Sequence, residues 1–177
     1  VAKKIVAEYG QADAFLGANV MCHIPYIHSV IEGISILLKE EGIVMFEDPY
    51  LGDIIEKTSY DQIYDEHVFL FSVASIDCLF KMHGMEVVDV EEQPTHGGSM
   101  RYVIARKGVR PMSKRTQEQL DKERTLGLHK QQIYDKFRRN CEKSKADLIA
   151  LLHKIKKEGK RVVGYAATSK STTVTNY

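Results

Sequence analysis

The chain has 177 residues, of which 44% are hydrophobic and 28% are charged, the composition of an ordinary globular protein. Its net charge of +1 gives no reason to expect nucleic acid or an acidic membrane surface as a partner. The longest apolar run, at residues 34–38, is far too short to cross a bilayer. The three cysteines, Cys22, Cys78 and Cys141, are scattered without metal-site spacing, which predicts reduced thiols in a cytoplasmic protein.

The first part of the chain alternates strand-like and helix-like segments. Residues 12–21 read as a buried strand that ends in a loop, and residues 28–40 repeat apolar residues at helical spacing. Gly42 is expected to close that helix, and residues 43–47 form a continuous apolar run that predicts a strand covered on both faces. Strand, helix and strand in this order predict a right-handed parallel crossover.

The next segments predict an antiparallel addition to this sheet. Pro49 breaks the strand, a short helix is expected at residues 51–57, and a second helix at residues 75–83 is ended by Gly84. Strands at residues 85–90 and 100–106 are joined by a short, turn-rich segment, so the pair is expected to be antiparallel. A parallel sheet finished by an antiparallel hairpin is the layout of the class I methyltransferase domain, although many α/β folds carry an antiparallel edge.

The last third of the chain has a different character. Residues 108–113 read as a linker, and residues 112–159 are polar, charged and helical. Apolar residues are spaced for one long amphipathic helix at Leu128, Ile133, Phe137, Leu148, Leu152 and Ile155. Residues 160–167 predict a strand that enters a small-residue loop, the start of a separate α/β domain. Both ends of the sequence look cut, so the chain is expected to be an internal fragment of a larger protein.

The tetrapeptide Tyr64-Asp65-Glu66-His67 concentrates groups that transfer protons. A histidine can act as a base near neutral pH, an adjacent carboxylate can orient it, and a tyrosine can donate to an oxygen that gains negative charge. The alternative is a solvated loop with an incidental cluster of charges.

Three further segments are candidates for ligand contact. His23 follows a strand, at the edge of an α/β sheet where ligands bind, and this position favours a ligand contact over the alternative of a loop histidine that caps backbone. The glycines of His96-Gly97-Gly98-Ser99 allow backbone to approach a ligand, or simply form a turn. The segment at residues 164–171 combines a strand end, small residues, hydroxyls and a lysine, which suits a phosphate but is not a P-loop.

A metal site within this chain is not expected. His23, His28, Glu66 and His67 are the available ligands, but they lack the spacing of two histidines on one helix turn, and no cysteine has a suitable spacing.

Four segments, in order, resemble the sugar-nucleotide C-methyltransferases of deoxysugar biosynthesis. They are Ala18-Asn19-Val20-Met21-Cys22-His23-Ile24-Pro25, Ile63-Tyr64-Asp65-Glu66-His67, Thr95-His96-Gly97-Gly98-Ser99-Met100-Arg101 and Val162-Val163-Gly164-Tyr165-Ala166-Ala167-Thr168-Ser169-Lys170. The resemblance implies an α/β fold: the second half of a class I, Rossmann-like methyltransferase domain at residues 1–108, a linker and helix at 109–127, and the start of a C-terminal nucleotide-sugar-binding domain at 128–177. A zinc-binding module is expected only outside this chain, on its N-terminal side.

The resemblance also implies a reaction and its residues. The expected transferase uses S-adenosylmethionine (SAM) to methylate a carbon of a nucleoside-diphosphate 4-keto-deoxysugar through an enolate. His67 is the expected base, Tyr64 and Glu66 handle the keto oxygen and the proton relay, and His23 faces the same sugar. Cofactor contacts are expected from Ala18, Asn19 and Val20. Substrate contacts are expected from His96, Ser99, Arg101, Tyr165 and Lys170.

The sequence departs from the family at Ala166, where a glycine is common, and at Thr168-Ser169-Lys170-Ser171, which replaces a more apolar loop. These changes leave the sugar, the nucleotide and the methylated atom open. The alternatives are an O- or N-methyltransferase acting on a glycan precursor, or a non-catalytic nucleotide-sugar-binding module. The expected partner is a small molecule, with neither nucleic acid nor membrane, and the fragment alone is expected to be inactive.

Overall fold

A computed structural model describes residues 1–165 and 168–177. Its strands are β1 (Ala12–Ala18), β2 (Leu38–Pro49), β3 (Met85–Gln93) and β4 (Ser99–Arg106). Its helices are α1 (Ala2–Tyr9), α2 (Ile27–Leu37), α3 (Leu51–Lys57), α4 (Val73–Lys81), α5 (Lys114–Leu126), α6 (Gln131–Lys157) and α7 (Ser169–Asn176). Short 3₁₀ turns lie at Met21–His23, Tyr60–Gln62 and Thr95–Gly97. None of the described helices is long and apolar enough to cross a bilayer.

The four strands form one mixed sheet in the order β1-β2-β4-β3. The strands β1 and β2 are parallel and are connected through α2, whereas β4 is antiparallel to both β2 and β3. The predicted parallel crossover and antiparallel hairpin are therefore both present. The sheet has the layout predicted for the second half of a class I methyltransferase domain.

The core lies against one face of this sheet. Along β2, Val44, Phe46 and Asp48 are buried, while the side chains between them are only partly covered. The ring of Phe46 stacks on Tyr102 at 4.9 Å between centroids and on Phe80 of α4 at 6.1 Å. Each fully buried side chain of this size contributes roughly 1.5–3 kcal/mol. The prediction that β2 is covered on both faces is wrong, because the helices that pack on this sheet bury mainly one side.

Two other predictions for the first segments are also wrong. The strand β1 is not buried: Leu16 is 70% exposed, because β1 is an edge strand of this sheet. Gly42 does not end a helix, since it lies inside β2, where an added Cβ would be 3.1 Å from the carbonyl oxygen of Asp13. The glycine is therefore explained by the close approach of two strands at an irregularity in their pairing.

The long helix expected in the last third is divided in two. Gly127 ends α5 with a left-handed φ of 81°, and the N–H groups of Gly127 and Leu128 both donate to the carbonyl of Glu123. Leu128 is consequently buried beside α5 and does not belong to α6. The strand predicted at residues 160–167 is not formed over residues 160–165, where no neighbouring strand among the described residues offers ladder hydrogen bonds; Ala166 and Ala167 lie outside the described residues.

A buried carboxylate joins α5 to the sheet domain. Glu123 is 3% exposed, and its Oε1 accepts hydrogen bonds from the Tyr50 hydroxyl at 2.9 Å and from the N–H of Val73 at 2.6 Å. Its Oε2 accepts from the N–H of Ala74 at 3.0 Å. These amides are unsatisfied donors of the first turn of α4, so the carboxylate caps that helix from another element.

We expect Glu123→Ala to destabilise the chain by about 3 kcal/mol, because two amides and one hydroxyl lose their acceptor in a buried site. Urea denaturation followed by circular dichroism measures the change. The control is Glu118→Ala on the same helix, where the exposed carboxylate forms an ion pair with Lys114 at the surface and a change within about 0.5 kcal/mol is expected. Equal effects of the two substitutions would contradict the assigned role.

Candidate active site

Two loops meet near the carboxyl ends of β1 and β2. The first contains the turn Met21–His23 that follows β1, and the second contains Tyr64-Asp65-Glu66-His67. The N–H of Phe69 donates to the carbonyl of Cys22 at 3.1 Å, which ties the second loop to the first. The resulting site lies where ligands bind in open α/β sheets.

The imidazole of His67 is held at both of its nitrogens. Its Nδ1 lies 2.7 Å from the carbonyl oxygen of Gln62, and its Nε2 lies 2.8 Å from the hydroxyl of Tyr64. A carbonyl can only accept, so Nδ1 carries the proton and Nε2 accepts the hydrogen bond that Tyr64 donates. The lone pair that could act as a base is therefore at Nε2.

The surroundings keep this pair of side chains neutral. Burial lowers the pKa of His67, the Gln62 carbonyl opposes that change, and the nearby His23 and Lys170 lower the pKa further. Burial raises the pKa of Tyr64, and the negative charge of Glu66 adds to the effect. At neutral pH the site thus presents an unprotonated imidazole beside a protonated phenol, the states required of a base and a hydrogen-bond donor.

His23 faces His67, with ring centroids 5.0 Å apart. Its Nδ1 donates to the backbone carbonyl of Glu66 at 2.6 Å, and its Nε2 has no hydrogen-bond partner among residues 1–165 and 168–177, so it can contact a ligand. The carboxylate of Glu66 is exposed and makes no hydrogen bond among the described residues. The structure thus brings Tyr64, His67 and His23 together, and Glu66 contributes backbone to the arrangement.

The loop that contains His96 is fixed against the same site. The buried Gln62 side chain donates from Nε2 to the carbonyl of His96 at 2.6 Å, and Lys57 donates to the carbonyl of Gly97 at 2.6 Å. At Gly98 the φ angle is +141°, and an added Cβ would lie 1.9 Å from a carboxylate oxygen of Asp53. Only glycine fits at Gly98, which therefore provides a close approach, but to the protein itself, whereas Gly97 has open space around it and serves the turn through its positive φ of 84°.

The predicted substrate-binding residues divide into two groups. His96 is exposed near the site, and Lys170, in the first turn of α7, lies close enough to lower the pKa of His67. Ser99 is buried and donates to the Thr95 carbonyl, whereas Tyr165 is fully exposed. Arg101 is paired with Glu47 at 3.0 Å and with Glu91 at 3.1 Å, so its charge is already balanced.

The predicted cofactor residues follow β1. Ala18 and Val20 are exposed, and Asn19 adopts a left-handed φ of 52° while its N–H donates to the carbonyl of Glu47 at 2.7 Å. This turn presents two apolar side chains at the sheet edge. Such a surface fits one wall of a site for a nucleoside cofactor.

Three residues of the site were not recognised from the sequence. Gln62 holds both His67 and His96, and Cys22 lies beside His23 and His67, although the spacing of the cysteines in the sequence did not indicate a metal site. Asp48 is completely buried, and neither of its carboxylate oxygens makes a hydrogen bond of good geometry with a described residue. Burial raises its pKa to about 6, while Cys22, the neighbouring backbone and His23 partly oppose the rise. The clue in the sequence was the position of Asp48 in phase with Val44 and Phe46.

The amino-acid sequence of the chain is similar to known C-methyltransferases. Residues 94–177 match the family model described as the C-methyltransferase C-terminal domain. Over 174 residues the chain is 34% identical to C-methyltransferase NovU of Streptomyces niveus, an alignment that covers 96% of the chain and 41% of that relative. The chain therefore spans less than half the length of this curated relative.

Two solved structures show a partial likeness. One is described as LepI in complex with SAM, with a TM-score of 0.46 and 12% identity over 55% of this chain and 27% of that one. The other is a SAM-dependent methyltransferase from Anabaena variabilis, with a TM-score of 0.44 and 18% identity over 60% of this chain and 54% of that one.

We expect Tyr64→Phe to raise the pKa of His67, because the hydroxyl that donates to Nε2 stabilises only the neutral ring. In the wild type, NMR of the imidazole nitrogens should find the Nδ1–H form at pH 7 and protonation below the ordinary histidine range. Tyr60→Phe is the control, since the Tyr60 ring contacts Tyr177 and not His67. An Nε2–H form in the wild type would contradict the assignment.

We expect Asp48 to give the chain a specific dependence of stability on pH. The folded state binds the Asp48 proton more tightly than the unfolded chain, so stability is lost as pH rises from about 4 to 6 and is constant above that range. The loss attributable to this group is about 3 kcal/mol. Urea denaturation across this range should show that Asp48→Asn removes the loss, while Asp65→Asn, on the exposed loop, retains it.

Proposed function

Since this chain belongs to the C-methyltransferase family, we propose that it forms part of an enzyme that transfers a methyl group from SAM to a carbon of a nucleoside-diphosphate 4-keto-deoxysugar. The observation that carries the proposal is the hydrogen-bonded series Gln62–His67–Tyr64 at the carboxyl edge of the sheet. It supplies a neutral base and a neutral donor side by side, which is what enolisation of a ketone requires.

His67 is the proposed base. A proton moves from the carbon next to the ketone to Nε2, and the electron pair of the broken C–H bond forms the enolate. The imidazolium produced is stabilised through its Nδ1–H by the carbonyl of Gln62, which lies 2.7 Å away. This contact also prevents the ring from turning, so Nε2 keeps its direction toward the substrate.

Tyr64 is the proposed donor to the keto oxygen. In the free site the Tyr64 hydroxyl donates a hydrogen bond to Nε2 of His67. When the substrate carbon lies against Nε2 instead, the hydroxyl can donate to the adjacent keto oxygen. Because burial raises the pKa of Tyr64, the phenol keeps its proton for this role. His23, with its Nε2 free, holds the sugar from the opposite side of the site.

The methyl donor and the nucleotide are assigned to the flanking segments. When bound, SAM supplies an electrophilic methyl group on a sulfonium centre, and the exposed turn at Ala18 and Val20 forms one wall of its site. Lys170, at the start of α7, is the proposed partner of a substrate phosphate. The helix α7 is held near the catalytic loop by the hydroxyl of Thr173, which donates to the carbonyl of Ile63 at 3.0 Å.

We expect His67→Asn to slow exchange of the proton next to the ketone by about 10²- to 10⁴-fold, because the variant lacks the proposed base. The measurement is deuterium uptake into a nucleoside-diphosphate 4-keto-deoxysugar, followed by NMR in the full-length protein. The control is His83→Asn, because His83 is bonded to His28 and lies outside the site.

Retention of exchange by His67→Asn would remove His67 from the role of base. Methylation of a substrate oxygen or nitrogen without exchange in the wild type would favour the alternative methyltransferase. Tight binding of the nucleotide sugar with neither exchange nor methylation would favour a non-catalytic binding module.

A further inference from the structure

Three metal-binding side chains converge beside the proposed base. One ligand atom from each of Cys22, His23 and His67 lies within 4.8 Å of the other two. In a tetrahedral zinc site, bond lengths of about 2.0–2.3 Å place neighbouring ligand atoms roughly 3.5 Å apart. Metal binding therefore requires these ligand atoms to approach one another by up to about 1.3 Å.

Both histidines are already oriented as metal ligands are. His23 donates its Nδ1–H to the carbonyl of Glu66 at 2.6 Å, and His67 donates its Nδ1–H to the carbonyl of Gln62 at 2.7 Å. Metal-ligating histidines commonly donate the other ring N–H to a carbonyl or carboxylate in this way, which fixes the tautomer and the ring direction. The Nε2 lone pair of His23 then points to a ligand, and that of His67 becomes available when the Tyr64 hydroxyl moves away.

Asp48 gives an independent indication of a cation. Its side chain is completely buried beside Cys22 and His23, and neither oxygen makes a hydrogen bond of good geometry with a described residue; the Cys22 thiol and the backbone N–H groups of Val20 and Cys22 approach it and offset only part of the cost of burial. Buried charges in proteins are normally paired or coordinate metals. A cation held by the adjacent thiolate and imidazoles supplies the missing compensation.

We propose that Cys22, His23 and His67 bind a divalent cation of the zinc class, with Asp48 as the neighbouring carboxylate that balances its charge. Binding replaces the proton of the Cys22 thiol and displaces the Tyr64 hydroxyl from Nε2 of His67. The combination of one sulfur, two imidazole nitrogens and a nearby carboxylate favours Zn²⁺ over Mg²⁺ or Ca²⁺, which prefer oxygen ligands.

A consequence that rests on the proposed function is that metal occupancy and proton abstraction exclude each other. The cation occupies the Nε2 lone pair that accepts the substrate proton. Zn²⁺ is therefore an inhibitor of exchange at this site, and a chelator restores the activity.

The test uses Co²⁺ as a spectroscopic probe in the full-length protein. We expect the wild type to bind one equivalent more than Cys22→Ser and to show a thiolate-to-cobalt absorption band that Cys22→Ser lacks. His23→Gln should lose the same equivalent, and Asp48→Asn should bind about 10- to 100-fold more weakly. Cys78→Ser, which changes an exposed thiol, is the matched control and should behave as the wild type. Far-ultraviolet circular dichroism confirms that each variant is folded.

Identical Co²⁺ stoichiometry and spectra in the wild type and in either folded ligand variant, Cys22→Ser or His23→Gln, would overturn the proposed site. Binding does not depend on catalysis, so the site stands or falls separately from the proposed reaction. In the exchange assay, reversible inhibition by Zn²⁺ that is at least tenfold weaker in Cys22→Ser supports the competition at His67. Cobalt binding without inhibition by Zn²⁺ would overturn that competition alone.

Discussion

The buried carboxylate of Glu123 is the interaction on which the candidate site depends. The loop that carries Tyr64 and His67 leaves the sheet domain after Tyr50 and returns at Phe71, where the two residues form a parallel bridge. Glu123 holds both sides of this closure, through the hydroxyl of Tyr50 and the amide of Val73. A loop whose ends are fixed in this way loses much of its conformational freedom before any ligand binds. The helix α5, which reads from the sequence as part of a linker region, therefore helps to position the site.

Within that loop, Gln62 fixes the positions of the groups proposed to react. Its backbone carbonyl sets the tautomer of His67, and its side chain anchors the loop of His96. One buried residue thus fixes two ligand-facing segments relative to each other. The arrangement follows a general pattern in which the orientation of a base is determined by a second group that does not touch the substrate.

Glu123 and Gln62 stabilise the site, whereas Asp48 and Cys22 destabilise it. Apolar side chains in their two buried positions would give a more stable fold. Burial of this carboxylate beside the Cys22 thiol costs free energy and raises the pKa of Asp48 to about 6, and the contacts with Cys22 and the neighbouring backbone offset only part of that cost. Local rules of this kind are broken mainly at functional sites, where the cost is offset elsewhere in the fold. The stacked rings of Phe46 and Tyr102 lie in the hydrophobic core, where the burial of apolar surface stabilises the fold.

By itself, the sequence determined those features that depend on neighbouring residues. The break at Pro49, the helix of residues 51–57, the antiparallel hairpin and the proton-transfer tetrapeptide all follow from local backbone sterics, side-chain periodicity and residue chemistry. The tertiary structure decided which groups meet. The contact of His23 with Glu66 joins residues 43 apart in sequence, and the burial of Ser99, the exposure of β1 and the approach of Cys22 to His67 have no local pattern. Such contacts are set by the packing of whole elements against one another, because a side chain's neighbours across a core are independent of its neighbours along the chain.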